Sequence, residues 1–332
     1  MNNRDLEGKF SRREFIRATA VSAVAIPFLP IVTESGGRVK PDSRFGGVQI
    51  GAITYSWRSM PGKAEDILGY CIRSGISSVE LMGNVAEEYA GIPPQETRPS
   101  NFDSLGEGER KKIMEAVKRS DEERRKWRLA GAKDKYRQLR KMFDKAGVKI
   151  HIVKFSPAKW TDEEIDYAFE SARILGARGV TDEIGEETAK KLGKFAEKHG
   201  MLAIYHNHAQ PGQPGFSFDH FLDYSPANML NFDAGHYFGA TGKHPNEIIE
   251  RLHDRIFSIH LKDKTGPAGN PPNTNMPWGK GETPLADVLR LVQKNKWNIP
   301  CDIELEYPVP EDSDAVRETI RCVTFCREIL EK

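Results

Sequence analysis

The chain of 332 residues carries 49 Lys and Arg against 48 Asp and Glu, a net charge of +1, with 38% hydrophobic and 29% charged residues. That length allows two ordinary domains or one α/β barrel of about 250 residues. The composition is wrong for a disordered chain, the charge balance gives no support to a nucleic-acid binder, and no run of about 18 apolar residues marks a membrane span.

The first thirty residues have the composition of an address. Ser11-Arg12-Arg13-Glu14-Phe15-Ile16 looks like a twin-arginine export motif, followed by an apolar, small-residue stretch from Ala18 to Pro30. A basic start, a short apolar stretch and the small-residue site Ala23-Val24-Ala25 are the parts of a cleavable signal. An N-terminal amphipathic helix is the weaker alternative, because Pro27 and Pro30 interrupt it and no charge occurs between Ala18 and Pro30. The expectation is a signal peptide over 1–30, a linker over 31–46 and a periplasmic protein.

From Gly47 onward, short β-rich runs alternate with helical patterns. Strands are predicted at Val48–Thr54, Ser77–Met82, Val148–Phe155, Gly179–Glu183, Met201–Asn207, Met229–Asp233, Arg255–Leu261 and Cys301–Glu306. The helices between them carry apolar stripes, such as Ile165, Ala168, Phe169, Ala172 and Leu175, and the last spans Asp314–Leu330. Cys322 and Cys326 lie on its apolar side and read as core residues; four Cys in all are too few for a disulfide framework. Eight alternating units predict a single (β/α)8 TIM barrel over 47–332, and no Gly-x-Gly-x-x-Gly turn follows the first strand.

The second unit is enlarged. Gly83, Gly91, Pro93, Pro94 and Pro99 give its start a loop composition, and a helical stretch follows from Glu107 to Lys145. That stretch holds fifteen Lys and Arg against eight Asp and Glu. The insert, 84–135, is read first as a solvated helical face, with Tyr136, Leu139, Met142 and Phe143 packing inward behind it. The other reading is a basic lid over the barrel mouth.

Ionisable residues collect at five successive strand ends. These are Thr181-Asp182-Glu183, Tyr205-His206-Asn207-His208, Asn231-Phe232-Asp233-Ala234-Gly235-His236, Ser258-Ile259-His260-Leu261-Lys262-Asp263 and Asp302-Ile303-Glu304-Leu305-Glu306. In a (β/α)8 barrel that end of the strands forms the catalytic mouth. Alternation turns Asp302, Glu304 and Glu306 inward on the eighth strand, and Ser258, His260 and Lys262 on the seventh. Carboxylates and imidazoles facing one mouth need a counter-charge, which a divalent ion supplies. Oxygen and imidazole donors suit Mn²⁺, Co²⁺, Mg²⁺ or Zn²⁺, and the lack of thiolates speaks against a structural zinc.

These motifs, with Val79-Glu80-Leu81-Met82-Gly83 and Trp278-Gly279-x-Gly281, resemble those of the xylose-isomerase-like barrel superfamily of sugar isomerases and epimerases. The resemblance covers roughly 47–330. It implies one divalent metal ion, with manganese first among the candidates, held by Asp233, His260 and Glu304. Many members place a Glu-Asn-His sequence on the fifth strand, where this chain has His206-Asn207-His208. The resemblance therefore makes His206 a ligand and leaves one proton-transfer carboxylate missing from its usual place. Glu183 can restore it as ligand or base.

His236, three residues past the aspartate, is similar to the family's contact with a substrate hydroxyl, and Lys262 is placed to bind a sugar oxygen. Trp57 and Trp278, on mouth-side loops, are candidates for stacking on a sugar ring, with packing as their ordinary alternative. Glu80 lines the pocket floor, while His151 and His208 read as structural. The chemistry implied is removal of a proton beside a carbonyl by Glu304 or Glu183, through an enediolate. Return of the proton gives a sugar isomerase or epimerase; loss of a β-leaving group gives a lyase acting on keto-glycosides. A non-catalytic sugar-binding barrel needs no metal. The expected partner is a small carbohydrate rather than a nucleic acid or a membrane beyond the export signal, and a homo-oligomer is open. A nuclease of the same superfamily is opposed by the neutral charge. A metal-dependent hydrolase of another barrel family lacks its His-x-His on the first strand.

Overall fold

The computed structural model describes residues 40–131 and 133–332. The proposed signal over 1–30 and the linker up to residue 39 lie outside them. Eight strands run in parallel: β1 (Val48–Ile53), β2 (Ser78–Met82), β3 (Lys149–Lys154), β4 (Gly179–Glu183), β5 (Leu202–His206), β6 (Asn228–Asp233), β7 (Ile256–Leu261) and β8 (Cys301–Ile303). Each pairs with the next, and β8 pairs with β1, so the sheet closes into a (β/α)8 TIM barrel. The end of the expected 31–46 linker is instead part of the barrel: Arg44–Phe45 is a short strand antiparallel to β1, with Ser43 and Phe45 buried. No helix among the described residues is long and apolar enough to cross a membrane.

The strands are buried on both faces, which is why they read as apolar runs rather than strict alternations. Around them lie α1 (Ala64–Ser74), α2 (Gly83–Ala90), α3 (Glu107–Ala130), α4 (Lys133–Ala146), α5 (Asp162–Leu175), α6 (Glu186–His199), α7 (Phe218–Leu222), α8 (Ala234–Thr241), α9 (Asn246–Leu252), α10 (Leu285–Asn295) and α11 (Ala315–Leu330). Local chemistry sets the helix ends. Thr161 and Glu164 form a capping box at the start of α5, and Asp314 accepts from the Val316 and Arg317 N–H groups at the start of α11. The stripe Ile165, Ala168, Phe169, Ala172 and Leu175 is buried against the barrel, and Cys322 and Cys326 are buried in α11.

Two further expectations change. The eighth strand ends at Ile303 instead of Glu306. The Glu304 N–H still donates to the Leu261 carbonyl, at 3.1 Å, but the Leu305 N–H donates to the Ser56 hydroxyl, at 3.0 Å. A side chain thus replaces the ladder where the strand leaves the barrel. In the second unit, Gly83–Ala90 is a helix rather than a loop, and the long helical stretch divides at Gly131, whose φ of +80° favours glycine. The unit's own barrel helix is α4, which buries Tyr136, Leu139 and Phe143, while Met142 is only partly buried.

Helix α3 is fastened to the helical layer by charge. Arg128 donates to both Glu87 oxygens, at 2.7 and 3.1 Å, and to Glu164 at 3.0 Å, with its guanidinium 3.8 Å from the Trp160 ring centre. Arg124 adds a contact to Glu87 at 3.3 Å. The basic residues of its first half, Arg110, Lys111, Lys112, Lys118 and Arg119, are exposed. That arrangement is a solvated face anchored at one end. Breaking a buried ion pair typically costs several kcal/mol. Glu87→Gln is expected to destabilise the fold by about 3 kcal/mol in urea unfolding; a loss below about 1 kcal/mol would mean that the pair is energetically idle.

Candidate active site

The ends of β5 to β8 bring four donors together: His206, Asp233, His260 and Glu304, all buried, with ligand atoms within 4.8 Å of one another. His206 Nε2 lies 3.2 Å from Asp233 Oδ2 and 3.7 Å from Glu304 Oε2; His260 Nδ1 lies 2.7 Å from Glu304 Oε2 and 3.9 Å from Asp233 Oδ2. A single divalent ion, at bonds of about 2.0–2.2 Å, spans donors of this spacing. Two carboxylates and two imidazoles without a thiolate fit Mn²⁺, Co²⁺, Mg²⁺ or Zn²⁺.

The motifs position these groups. Asp233 caps α8, its Oδ1 accepting from the His236 N–H at 2.6 Å, which leaves Oδ2 for the cage. Asn207 clamps the Asp233 backbone from the next strand, accepting from its N–H at 3.0 Å and donating to its carbonyl at 3.2 Å. Gly235 lies against Lys262, and an added Cβ would sit 2.4 Å from Lys262 Cγ. Asp263 turns away to hold the Trp278-Gly279-x-Gly281 loop, accepting from the N–H groups of Gly279, Gly281 and Thr283.

Each imidazole shows one nitrogen to the cage and the other to a carboxylate. His260 Nε2 is 2.7 Å from Glu80 Oε2, and Glu80 also accepts from Thr181 at 2.8 Å and Asn231 at 2.7 Å. His206 Nδ1 is 3.4 Å from Glu183 Oε2. A carboxylate behind a ligating imidazole fixes its tautomer and raises its basicity. Glu183 thus stands behind His206 and outside the four-donor cage, but with His206 and His208 it forms a second group whose ligand atoms lie within 4.8 Å of one another. Its other oxygen accepts from Lys154 at 2.6 Å, and its side chain is 39% exposed, within reach of solvent. His208 lies beside it, Nδ1 3.5 Å from Glu183 Oε2.

Lys262 faces the cage from the mouth, its ammonium 3.0 Å from Asp233, 2.8 Å from Glu304, 2.7 Å from Glu306 and 2.9 Å from His236 Nε2. His236 therefore lies at the mouth beside Lys262. The two tryptophans differ. Trp57 is fully buried, donates to Thr319 of α11 at 3.1 Å and packs on Tyr70. Trp278 meets Phe325 of α11 edge-on. Trp57 is therefore closed off from a ligand, while Trp278 is half-buried against α11. Sequence reasoning missed Lys154, Asn207 and Asn231; Lys154 carried a usable signal, being an ionisable group at the end of the third strand. His151 is bound to Ser78 and Asp302, at 2.9 Å each, and Asp302 in turn lies within 4.8 Å of His260 and Glu80, so His151 stands beneath the cage and not in it.

Burial opposes every charge here, and the partners decide the outcome. Burial works against protonated His206, but hydrogen bonds to Asp233, Glu183 and Glu304 outweigh it and hold its pKa up at about 9. Burial likewise raises Glu80, but the His260 charge wins and draws it down to about 2. Glu183 is held well below the usual carboxylate range, against burial, by His206 and Lys154. His208 is pushed down to about 4 by burial and the His206 charge. The metal-free protein should therefore lose the His206 contribution to stability as pH rises from about 6.5 through about 9, because the raised folded-state value favours protons only below it. Metal uptake should strengthen over the same window, since a ligating imidazole sheds its proton. Melting curves and Mn²⁺ calorimetry at pH 6, 7.5 and 9 check both; uptake that is flat with pH would count against His206 as a ligand.

A closed α/β barrel with four metal-type donors at its C-terminal mouth defines a class of protein by fold and site together. Residues 112–326 match the xylose isomerase-like TIM barrel family, and the chain belongs to it. The chain is 36% identical to the inosose dehydratase of Clostridium beijerinckii over 126 residues, 37% of this chain and 35% of that protein. It is 26% identical to the inosose dehydratase of Clostridium tetani over 141 residues, 40% of each. The match thus spans well under half the length of these relatives. Among solved structures, it is similar to a sugar phosphate isomerase/epimerase of Parabacteroides distasonis, with a TM-score of 0.56 at 14% identity, covering 92% of this chain and 100% of that one. A probable 3-DHS dehydratase of Bacillus anthracis gives a TM-score of 0.55 at 13% identity, covering 83% of this chain and 99% of that one. At such identities these structures bear on the fold alone.

Proposed function

We propose that this protein is a metal-dependent lyase that removes the proton beside a carbonyl of a carbohydrate or cyclic polyol and expels a β-oxygen. The carrying observation is the division of carboxylates: Glu304 belongs to the four-donor cage, while Glu183 stands outside it. His206, Asp233, His260 and Glu304 would hold the ion, manganese being the one we expect. When bound, a divalent ion polarises a carbonyl oxygen and acidifies the neighbouring C–H.

Glu183, kept ionised by Lys154 and His206, takes that proton. The C–H electrons form a C=C bond as the β C–O bond breaks. The departing oxygen takes a proton from the Lys262 ammonium across the mouth and leaves as water or as an aglycone alcohol. Elimination needs one base and one donor for the leaving oxygen, which is what the site offers. Two-base epimerisation needs a second free carboxylate; His206 occupies its usual place, and Glu306, the other carboxylate at the mouth, is tied to Lys262 and His236. A cavity of about 840 Å³ borders Glu183, lined also by Lys159, Asp182, Thr188, Lys191 and Phe195. Of the site's groups it touches Glu183 alone; none of the four donors lines it.

The dehydratase names of the curated relatives favour elimination, while the isomerase/epimerase name of a structural neighbour supports the second reading, a sugar isomerase or epimerase using the same cage. With the twin-arginine motif, we place the protein in the periplasm and its substrates among unphosphorylated sugars. Incubation with free and glycosidic keto-sugars in D₂O separates the two readings. Release of water or aglycone is the expected result; deuterium next to the carbonyl with no bond cleaved would overturn elimination in favour of isomerisation.

A further inference from the structure

We propose that Lys262 is the cage's own counter-cation and exchanges with the divalent ion, so that metal loading hands one of its N–H donors to the substrate. The inference rests on the metal-dependent reading above and adds an order of events to it: ion first, then substrate.

An ammonium has three N–H donors. Lys262 faces four acceptors within 3.0 Å, namely Asp233 Oδ2, Glu304 Oε2, Glu306 Oε2 and His236 Nε2. The first two are the same oxygens that face His206 and His260 in the cage. Among the described residues, no other Lys or Arg lies within 4.0 Å of either carboxylate. An ion and the ammonium therefore claim the same lone pairs. Once an ion takes Asp233 and Glu304, Glu306 and His236 use two donors and the third points at the mouth.

The surroundings allow only a short move. Lys262 is 2% exposed, and its stem lies under Gly235, where an added Cβ would be 2.4 Å from both Lys262 Cγ and the Lys262 carbonyl oxygen. The side chain cannot swing out to solvent, so the exchange is a shift between two acceptor pairs already in contact with it. Lysine also suits the task as a compact point charge, whereas a planar guanidinium would bring a fixed fork of five donors.

The test is Mn²⁺ titration by calorimetry of metal-stripped wild type, Lys262→Met and Lys262→Gln, with melting curves before and after loading. Removing the competing charge should tighten Mn²⁺ binding about tenfold or more in both variants. It should also lower the melting temperature of the stripped variants, so that the rise on loading exceeds that of wild type. Two neutral variants guard against one failing to fold, and Lys262→Arg should not show the gain. Uptake by wild type with no gain in either neutral variant would overturn the exchange alone. No uptake by any of these proteins would remove the metal-dependent reading, and this inference with it.

Discussion

His260→Ala is expected to be purified with less than about a tenth of the metal of wild type, and to lose at least about a thousandfold in kcat/KM. Wild type should hold about one ion per chain. His260 sits at the centre of the arrangement, with Nδ1 on Glu304, Nε2 on Glu80 and burial on every side. Its loss removes a donor and leaves two buried carboxylates facing each other without the imidazole, which repels the remaining ligands from a common geometry. Elemental analysis, steady-state kinetics and circular dichroism together read the outcome. A folded variant that keeps its ion and most of its activity would sink the assignment of this cage.

Glu183→Gln should separate the base from the ligands. The expected result is a fall in kcat of about a hundred- to ten-thousandfold, with KM little changed and metal content near that of wild type. Glutamine keeps the shape and can still meet Lys154 and His206, but it takes no proton. Glu183 reaches His206 on the nitrogen turned away from the cage, so its loss should weaken metal affinity only within the roughly 10–100-fold range of an outer partner. An apoprotein would show instead that Glu183 ligates directly, through the group it forms with His206 and His208. Full activity with full metal would move the proton transfer to another group, with Glu306 the next carboxylate at the mouth.

The barrel was legible because its signals are local. Apolar runs of strand length, Gly-ended helices and striped amphipathic segments each reflect a few neighbouring residues, and eight of them in order leave few alternatives. The inward parity of Asp302, Glu304, His260 and Lys262 was legible for the same reason. Division of labour among them was not. Whether Glu183 binds an ion or backs His206 depends on which nitrogen faces it across two strands, and strand-end position does not encode that. Trp57 shows the complementary limit: its loop lies at the mouth, but its indole finds Thr319, far away in sequence. The eighth strand was drawn too long because Leu305 keeps the alternation while its N–H turns to Ser56. The break at Gly131 was missed because the residues on either side keep helical periodicity across it.

The four donors of the cage come from, or directly follow, four successive strands, each paired with the next. Such a framework cannot widen or narrow without tearing its own ladder, so it acts as a gauge of fixed aperture. Ions should sort by radius on a fine scale, with the guest adapting its coordination to the host. Exchange of one ion for another should then pass Lys262 at the mouth, and its pace should follow crowding there rather than any breathing of the wall.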